Sequence, residues 1–571
     1  MNSVSSKLNI RPLDSLPLLS WLLDWDYGAG LLMCGNGVEI RPDGWFEGVW
    51  GGSFDQWNFD QSSDVFGSGG KYSENQILLV SPSHPLESLF MMKRGNSILA
   101  SNSLAFLLTY SNSSLKNDCF NYAELFLSAL NGIEHVKFEI ETDNEPVTVC
   151  SYFNIMIAND GKLSFLPKPQ PPSPKGYNEY LDHLRHIIKV TVANARSSRR
   201  KYRFDPLTTL SSGYDSPACA VLAGGAGCTE GVTFRTSPTV EGSIQQNDSG
   251  MEIGRLLGLN VREYSRTLPA SGPSKSVTQF YCDGGFGAEL FWQSIATELP
   301  QKVLITGLSN TWTKRANPAN AFERTDCAGL GLGEFRRNIG FAHVPIPYIM
   351  ITRIAEIWRI GNSSEMQPWS LGVNYDRPIA RRIVEEAGVP RQMFGQIKSG
   401  SSFRAWYPDH WPAWFREQFR QRWKQSRKTA RESAQYGFKL AQYQILRFSC
   451  ERRFLKHLSK KMSIFGDGET FMLPVLRMFS LVLRTILKPF GPPHYKIIIR
   501  MHPRYTFLLN WANADAAQRY THITRSADRS EAGGFYESGT KSGERAHESG
   551  ALRSGAICQP GVVCADPRQP P

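Results

Sequence analysis

Apolar and polar positions along this 571-residue chain follow three successive patterns. From about residue 18 to residue 166, short apolar runs alternate with turn residues: Leu31-Leu32-Met33, Gly44-Trp45-Phe46-Glu47-Gly48-Val49-Trp50, Ile77-Leu78-Leu79-Val80 and Ile98-Leu99-Ala100. Runs of that length between turn signals predict strands, in a β-rich α+β region. Over residues 177–196 the period changes. Leu181, Leu184, Ile188 and Ala195 stand at helical spacing and predict one amphipathic helix. Strand and helix patterns then alternate. Strands are expected at 207–210, 231–235, 261–264 and 303–306. Helices are expected from Pro217 onward, over 248–258 and around 289–298. This βαβ alternation predicts an α/β unit with a parallel, doubly wound sheet and ligands at the carboxyl ends of its strands. From residue 403 onward the pattern is mostly helical and rich in Arg, Lys and Trp.

The sharpest change of composition is Pro167-Lys168-Pro169-Gln170-Pro171-Pro172-Ser173-Pro174, which reads as a stiff linker. The expected organisation is a first region over 1–166, a linker over 167–176, the α/β unit over 177–402 and a helical region over 403–522. A tail over 523–571 is rich in Gly, Ser and Pro and has too few apolar groups to offset ordering. Residues 471–490 are hydrophobic, but Arg477, Arg484 and Lys488 share one helical face. A packed amphipathic helix is expected there rather than a membrane span, with peripheral membrane contact as the alternative. Ten cysteines without a Cys-x-x-Cys pair point to neither a zinc ribbon nor a disulfide framework. The first residues lack a basic stretch leading into an apolar run, so no signal peptide is expected and a reducing cytoplasm is the expected setting. The net charge of +12 is spread widely, with a concentration between residues 416 and 461, and is read as a solvated helical region before a nucleic-acid surface.

Candidate chemistry centres on Leu210-Ser211-Ser212-Gly213-Tyr214-Asp215-Ser216-Pro217. An apolar strand enters a turn of small residues and a helix follows at once, which is the arrangement that brings backbone donors and a positive dipole to an anion. Asp215 inside such an anion site implies a bridging cation. No Gly-Lys-Ser/Thr follows, so this is not a Walker A loop.

The segment resembles the Ser-Gly-Gly-x-Asp-Ser pyrophosphate loop of the ATP pyrophosphatases, with Ser212 in place of the second glycine. Further segments resemble the asparagine synthetase-like family, which also includes β-lactam synthetases and lasso-peptide cyclases. The resemblance covers roughly residues 21–402. It implies an ATP pyrophosphatase-type sheet after an N-terminal Ntn-hydrolase-like glutaminase domain. By that resemblance Leu210, Ser211, Ser212, Gly213, Asp215, Ser216 and Gly307 would line the ATP site, and Thr233 and Phe234 would meet adenine through their backbone. Gly331-Leu332-Gly333-Glu334-Phe335-Arg336 is similar to the family's Glu-x-Arg region, which implies that Glu334 lines the acceptor site and assists proton transfer, with Arg336 fixing its position. Lys398, in Phe394-Gly395-Gln396-Ile397-Lys398-Ser399-Gly400, would neutralise the adenylate and the departing pyrophosphate.

Two departures matter. The family places an aspartate in the turn after the 303–306 strand, whereas Asn310 stands here. Magnesium would then rest on Asp215 and Asn310, a weaker pair, unless Asp326 compensates. Family glutaminases also need a cysteine exposed at the N-terminus as nucleophile. Residue 2 is Asn and Cys34 is internal, although residues 85–104 still resemble that domain's hairpin. The expected activity is therefore an asparagine synthase-like, ATP- and magnesium-dependent, AMP-forming ligation. It would join a small-molecule, peptide or glycan carboxylate to an amine, without glutaminase activity. The alternatives are a sulfur-transferring or tRNA-modifying ATP pyrophosphatase, and a degenerate protein that binds nucleotide without turnover.

Overall fold

The computed structural model describes residues 8–26, 29–73, 76–95, 97–128, 135–158, 160–238, 245–266, 271–308, 311–312, 332–373, 375–396, 411–426 and 502–522. The expected tail over 523–571 and the 471–490 segment lie outside these residues.

The N-terminal region is β-rich. A seven-stranded sheet runs in the order Leu8–Pro12, Ala29–Cys34, Trp21–Asp26, Ser97–Ser101, Leu89–Arg94, Val147–Cys150, Lys137–Ile140. It is antiparallel except for the first pair. A six-stranded antiparallel sheet runs Leu163–Pro167, Phe153–Ala158, Gln76–Val80, Val65–Ser73, Gly44–Trp50, Glu39–Arg41. Alternation assigns the faces. Trp21 and Leu23 from one sheet and Trp45, Ile77, Leu79 and Ile155 from the other share a core, with the rings of Trp21 and Trp45 5.5 Å apart, edge to face. Leu22, Met33, Phe90 and Leu99 point the other way, into a second core shared with the helices Leu104–Tyr110 and His502–Ala517.

The second region is built on five parallel strands, in the spatial order Asn260–Tyr264, Glu230–Phe234, Asp205–Leu210, Lys302–Thr306, Ala342–Pro345. Both faces are covered. Leu207, Val232 and Leu304 face one core, and Val303 and Ile305 face the other, beneath the helices Tyr177–Arg196, Asp215–Gly225 and Pro378–Glu386. The sheet is therefore doubly wound. Counted along the chain, the spatial order is third, second, first, fourth, fifth. Connections part in opposite directions between Asp205–Leu210 and Lys302–Thr306, which opens a crevice at their carboxyl ends.

Three differences from the sequence reading have physical causes. Residues 290–298 form a 3-10 helix interrupted at Ile295, where φ is −120°, rather than an α-helix. The helix expected over 248–258 is confined to Met251–Leu256, because the Asp248 backbone is engaged outside it, its N–H with the Arg235 carbonyl and its carbonyl with the Ser212 N–H. The Pro-rich stretch is a strap tied to the body: Arg353 donates to the Pro171 carbonyl at 3.0 Å and Arg359 to that of Pro174 at 3.0 Å. The helix Tyr177–Arg196 is amphipathic as expected and joins the two regions, with Ile187 against Gly51 and Asn194 donating to the Gly52 carbonyl. No helix among the described residues is long and apolar enough to cross a membrane.

Candidate functional site

The loop 211–216 occupies the mouth of the crevice. It leaves the central strand Asp205–Leu210 and enters the helix Asp215–Gly225, whose first turn has no side-chain cap. Pro217 stands at the third helical position rather than the first, still within the turn whose N–H groups lack intrahelical partners. The neighbouring strand Lys302–Thr306 delivers Gly307 to the same place. A Cβ on Gly307 would lie 2.6–2.8 Å from the Asp215 backbone and Cβ, so only glycine lets the two strand ends approach this closely.

Within the loop several donors are already engaged. The Ser211 and Ser216 hydroxyls bond each other at 2.6 Å, and the Gly213 N–H donates to Ser211 Oγ at 3.1 Å. Ser212 is an anchor: its hydroxyl donates to Asp248 Oδ1 at 3.0 Å, its N–H to the Asp248 carbonyl, and its carbonyl accepts from Gly395. Asp215 pairs through Oδ2 with the buried Arg377, while its Oδ1 is buried without a hydrogen-bond partner. Burial pulls the Arg377 guanidinium down to about 10, as desolvation of a cation should.

One wall of the crevice comes from the second strand. Thr233 Oγ1 accepts from the Gly250 N–H at 2.8 Å, and a Cβ on Gly250 would meet Leu210 and Ser211 at 2.6–2.8 Å. Phe234 packs edge-on against Phe291 at 5.1 Å, and Arg266 lies 5.1 Å over its ring. The Thr233 and Phe234 backbone is engaged in the ladder with Glu263 and Tyr264. Arg266 also pairs with Asp248 at 3.3 Å, so a chain of polar contacts runs from Arg266 through Asp248 to Ser212.

Glu334 and Arg336 are placed elsewhere. Both are on the helix Gly333–Ile339 and both are buried. Arg336 does not fix Glu334; it turns to the N-terminal region, where its guanidinium meets Glu47 at 2.8 and 3.0 Å and Glu87 at 2.8 Å. On its own helix the arginine that meets Glu334 is Arg337, at 2.9 Å. Three more donors complete the carboxylate: Ser103 Oγ at 3.0 Å, Tyr520 Oη at 2.8 Å and Arg519 at 3.2 Å. Burial pushes the Glu334 carboxyl up, but the Arg337 and Arg519 charges outweigh it and leave the group below its ordinary value. A carboxylate so enclosed and so well held is a poor proton acceptor. The structure places Glu334 and Arg336 at the junction between the two regions.

Lys398, Asn310 and Asp326 lie outside the described residues. Among the described residues no group of three or more His, Cys, Asp or Glu side chains could hold a metal ion; the orphaned Oδ1 of Asp215 fits a single magnesium ligand and no more. Burial pushes the Cys34 thiol up to about 12, against a small opposing effect of Lys201, the reverse of what a nucleophile needs. The roles of Arg377, Asp248 and Arg266 went unpredicted: Arg377 and Asp248 reach the loop from other segments, and Arg266 bears on it only through Asp248. A scan of protein-family models finds no match to the chain, and a search of curated proteins finds no relative.

Proposed function

We propose that this protein is an ATP-dependent, AMP-forming amide-bond ligase without a glutaminase activity of its own. The observation that carries the reading is the loop 211–216 at the strand-order reversal of a parallel sheet, with an uncapped helix start and an unpartnered Asp215 Oδ1. Such a crevice suits a polyphosphate. In the proposed reaction a carboxylate oxygen attacks the α-phosphorus of ATP and pyrophosphate leaves. An amine then attacks the acyl carbon, loses a proton, and AMP leaves. Asp215 Oδ1 would bind magnesium, which supplies charge neutralisation on the phosphates. Arg377 adds a fixed positive charge beside them, and the Ser211 and Ser216 hydroxyls turn from each other to the phosphate oxygens. No role in proton removal falls to Glu334 in this reading. The six described cysteines are all unpaired, which suits a reducing compartment.

A second reading rests on one contact. Arg377 already holds the carboxylate that magnesium would need, as expected of a nucleotide-binding protein that has lost turnover. The full chain incubated with magnesium, α-labelled ATP and a panel of carboxylates and amines separates the two. AMP and pyrophosphate in equal amounts are expected, falling at least ~100-fold in Asp215→Asn, a loss of about 2.7 kcal/mol in transition-state stabilisation. ADP as the product would overturn the ligase reading. Bound ATP with no product would establish the second.

A further inference from the structure

Away from the ATP crevice, a cavity of about 250 Å³ lies between the Pro-rich strap, the six-stranded sheet and residues 348–352. Its volume exceeds the ~150 Å³ that takes up benzene in an apolar core. Unlike an apolar void it is lined by two buried, oppositely charged groups, Lys168 and Asp64, which are 6% and 3% exposed. Lys168 follows the strand Leu163–Pro167 and donates from Nζ to Asn154 Oδ1 at 3.0 Å. Asp64 precedes the strand Val65–Ser73 and accepts from Ser63 Oγ at 2.6 Å. Among the described residues no ion pair joins the two. Each keeps capacity to spare, since an ammonium has three donors and a carboxylate about four acceptor sites. Burial without a direct partner drives both groups toward their neutral forms, and a ligand that brings a carboxylate to one and an ammonium to the other lets both charge again.

The backbone adds an independent sign. Tyr152 and Met350 both line the cavity, with φ of 63° and 61°. Non-glycine residues in the left-handed region are held there only by their surroundings and gather at ligand sites.

We propose that this cavity is a binding site for a free α-amino acid, whose carboxylate meets Lys168 and whose ammonium meets Asp64. A simple anion would face Asp64 and a simple cation would face Lys168; a zwitterion satisfies both. Tyr152, Phe153, Met350 and Ile351 would receive the ligand's side chain. The inference does not depend on the ligase reading, because the site is separate from the crevice and is tested without ATP.

The charge states support it. Burial pulls the Lys168 ammonium down to about 7, with Cys150, Asp64 and Asp60 acting in the opposite direction. Burial raises Asp64, against Ser63, His183, the Met350 backbone and Lys168. Above neutral pH the empty site therefore holds mostly uncharged Lys168. A ligand carboxylate favours the charged form, so binding draws in a proton and weakens as pH rises above 7.

The test is titration calorimetry on the full chain, without ATP, using the L-amino acids one at a time. For every one that binds, the N-acetyl and carboxamide derivatives follow. At least one amino acid should bind, and both of its derivatives should bind at least about tenfold more weakly. Lys168→Met and Asp64→Asn should each weaken it by a similar factor. Lys168→Met should also melt no lower than the parent in the absence of ligand, since a desolvated cation is removed. The proposal is overturned if no amino acid binds at millimolar concentration, if either derivative binds as well as its parent, or if either substitution leaves binding intact. Should a variant fail to fold, the two derivatives still decide.

Discussion

Asp215 and Glu334 occupy similar places on their helices and very different surroundings. Each stands in the first turn of a helix, and each meets an arginine. Asp215 spends one oxygen on Arg377 and leaves the other without a partner, with its side chain still 16% exposed. Glu334 is fully buried, and its two oxygens receive four donors drawn from residues 103, 337, 519 and 520. The difference separates a carboxylate with capacity to spare from one that has none. Charge and residue type do not make that distinction. The number of donors already spent does.

The contrast breaks most visibly at Arg336. Replacing it with Met strands Glu47 and Glu87 in the interior, and breaking such a buried pair costs about 3–5 kcal/mol. Urea denaturation should register that loss, and Glu47→Gln with Glu87→Gln should restore part of it. A shift below about 1 kcal/mol would mean the junction is wetter than its geometry implies. The next effect concerns Glu334 itself. Glu334→Gln should destabilise by about 1.5–3 kcal/mol, the range for hydrogen bonds to a charged group, while any AMP formation stays within twofold of the parent. A large fall in AMP formation with stability kept would return Glu334 to the chemistry and erase the contrast with Asp215.

The last effect, small per pH unit, is a pH slope at His343, which lies between the Gly307 turn and Arg336. Its Nε2 lies 2.8 Å from Thr306 Oγ1, next to Gly307. Burial, and then the Arg336 charge, pull its imidazole down to about 3 from 6.5. The folded-state value is depressed, so from pH 6.5 down towards 3 the unfolded chain takes up a proton that the folded chain refuses. Stability is complete above that window and falls within it, by up to ~1.4 kcal/mol per pH unit. Stability curves of His343→Gln should be flatter there by that amount; equal slopes would show that the ring charges without penalty.

Much of the parallel sheet was legible because apolar runs such as Val303-Leu304-Ile305 need no partner information to read as buried strands. The fifth strand, Ala342–Pro345, was missed because His343 and Pro345 disguise it; Thr306 across the ladder is what makes a buried histidine acceptable. The pairing of Glu334 with Arg337 was available from helical phase alone, since residues three apart share a face and residues two apart do not. Arg377 was not available. It reaches Asp215 from 162 residues away, and no local pattern encodes that distance.

The Tyr520 contact with Glu334 spans 186 residues of chain, and that separation has a temporal meaning. At ~5–20 residues per second, a ribosome needs roughly 10–40 s to cover that stretch. Until it does, Glu334 lacks two of its four donors, and the core that Tyr505, Leu509 and Trp511 complete stays open. Native completion is thus deferred to the last described helix. A chain released early would carry a conspicuous mark of being unfinished, an apolar face and a half-satisfied carboxylate, for the cell's folding machinery to recognise.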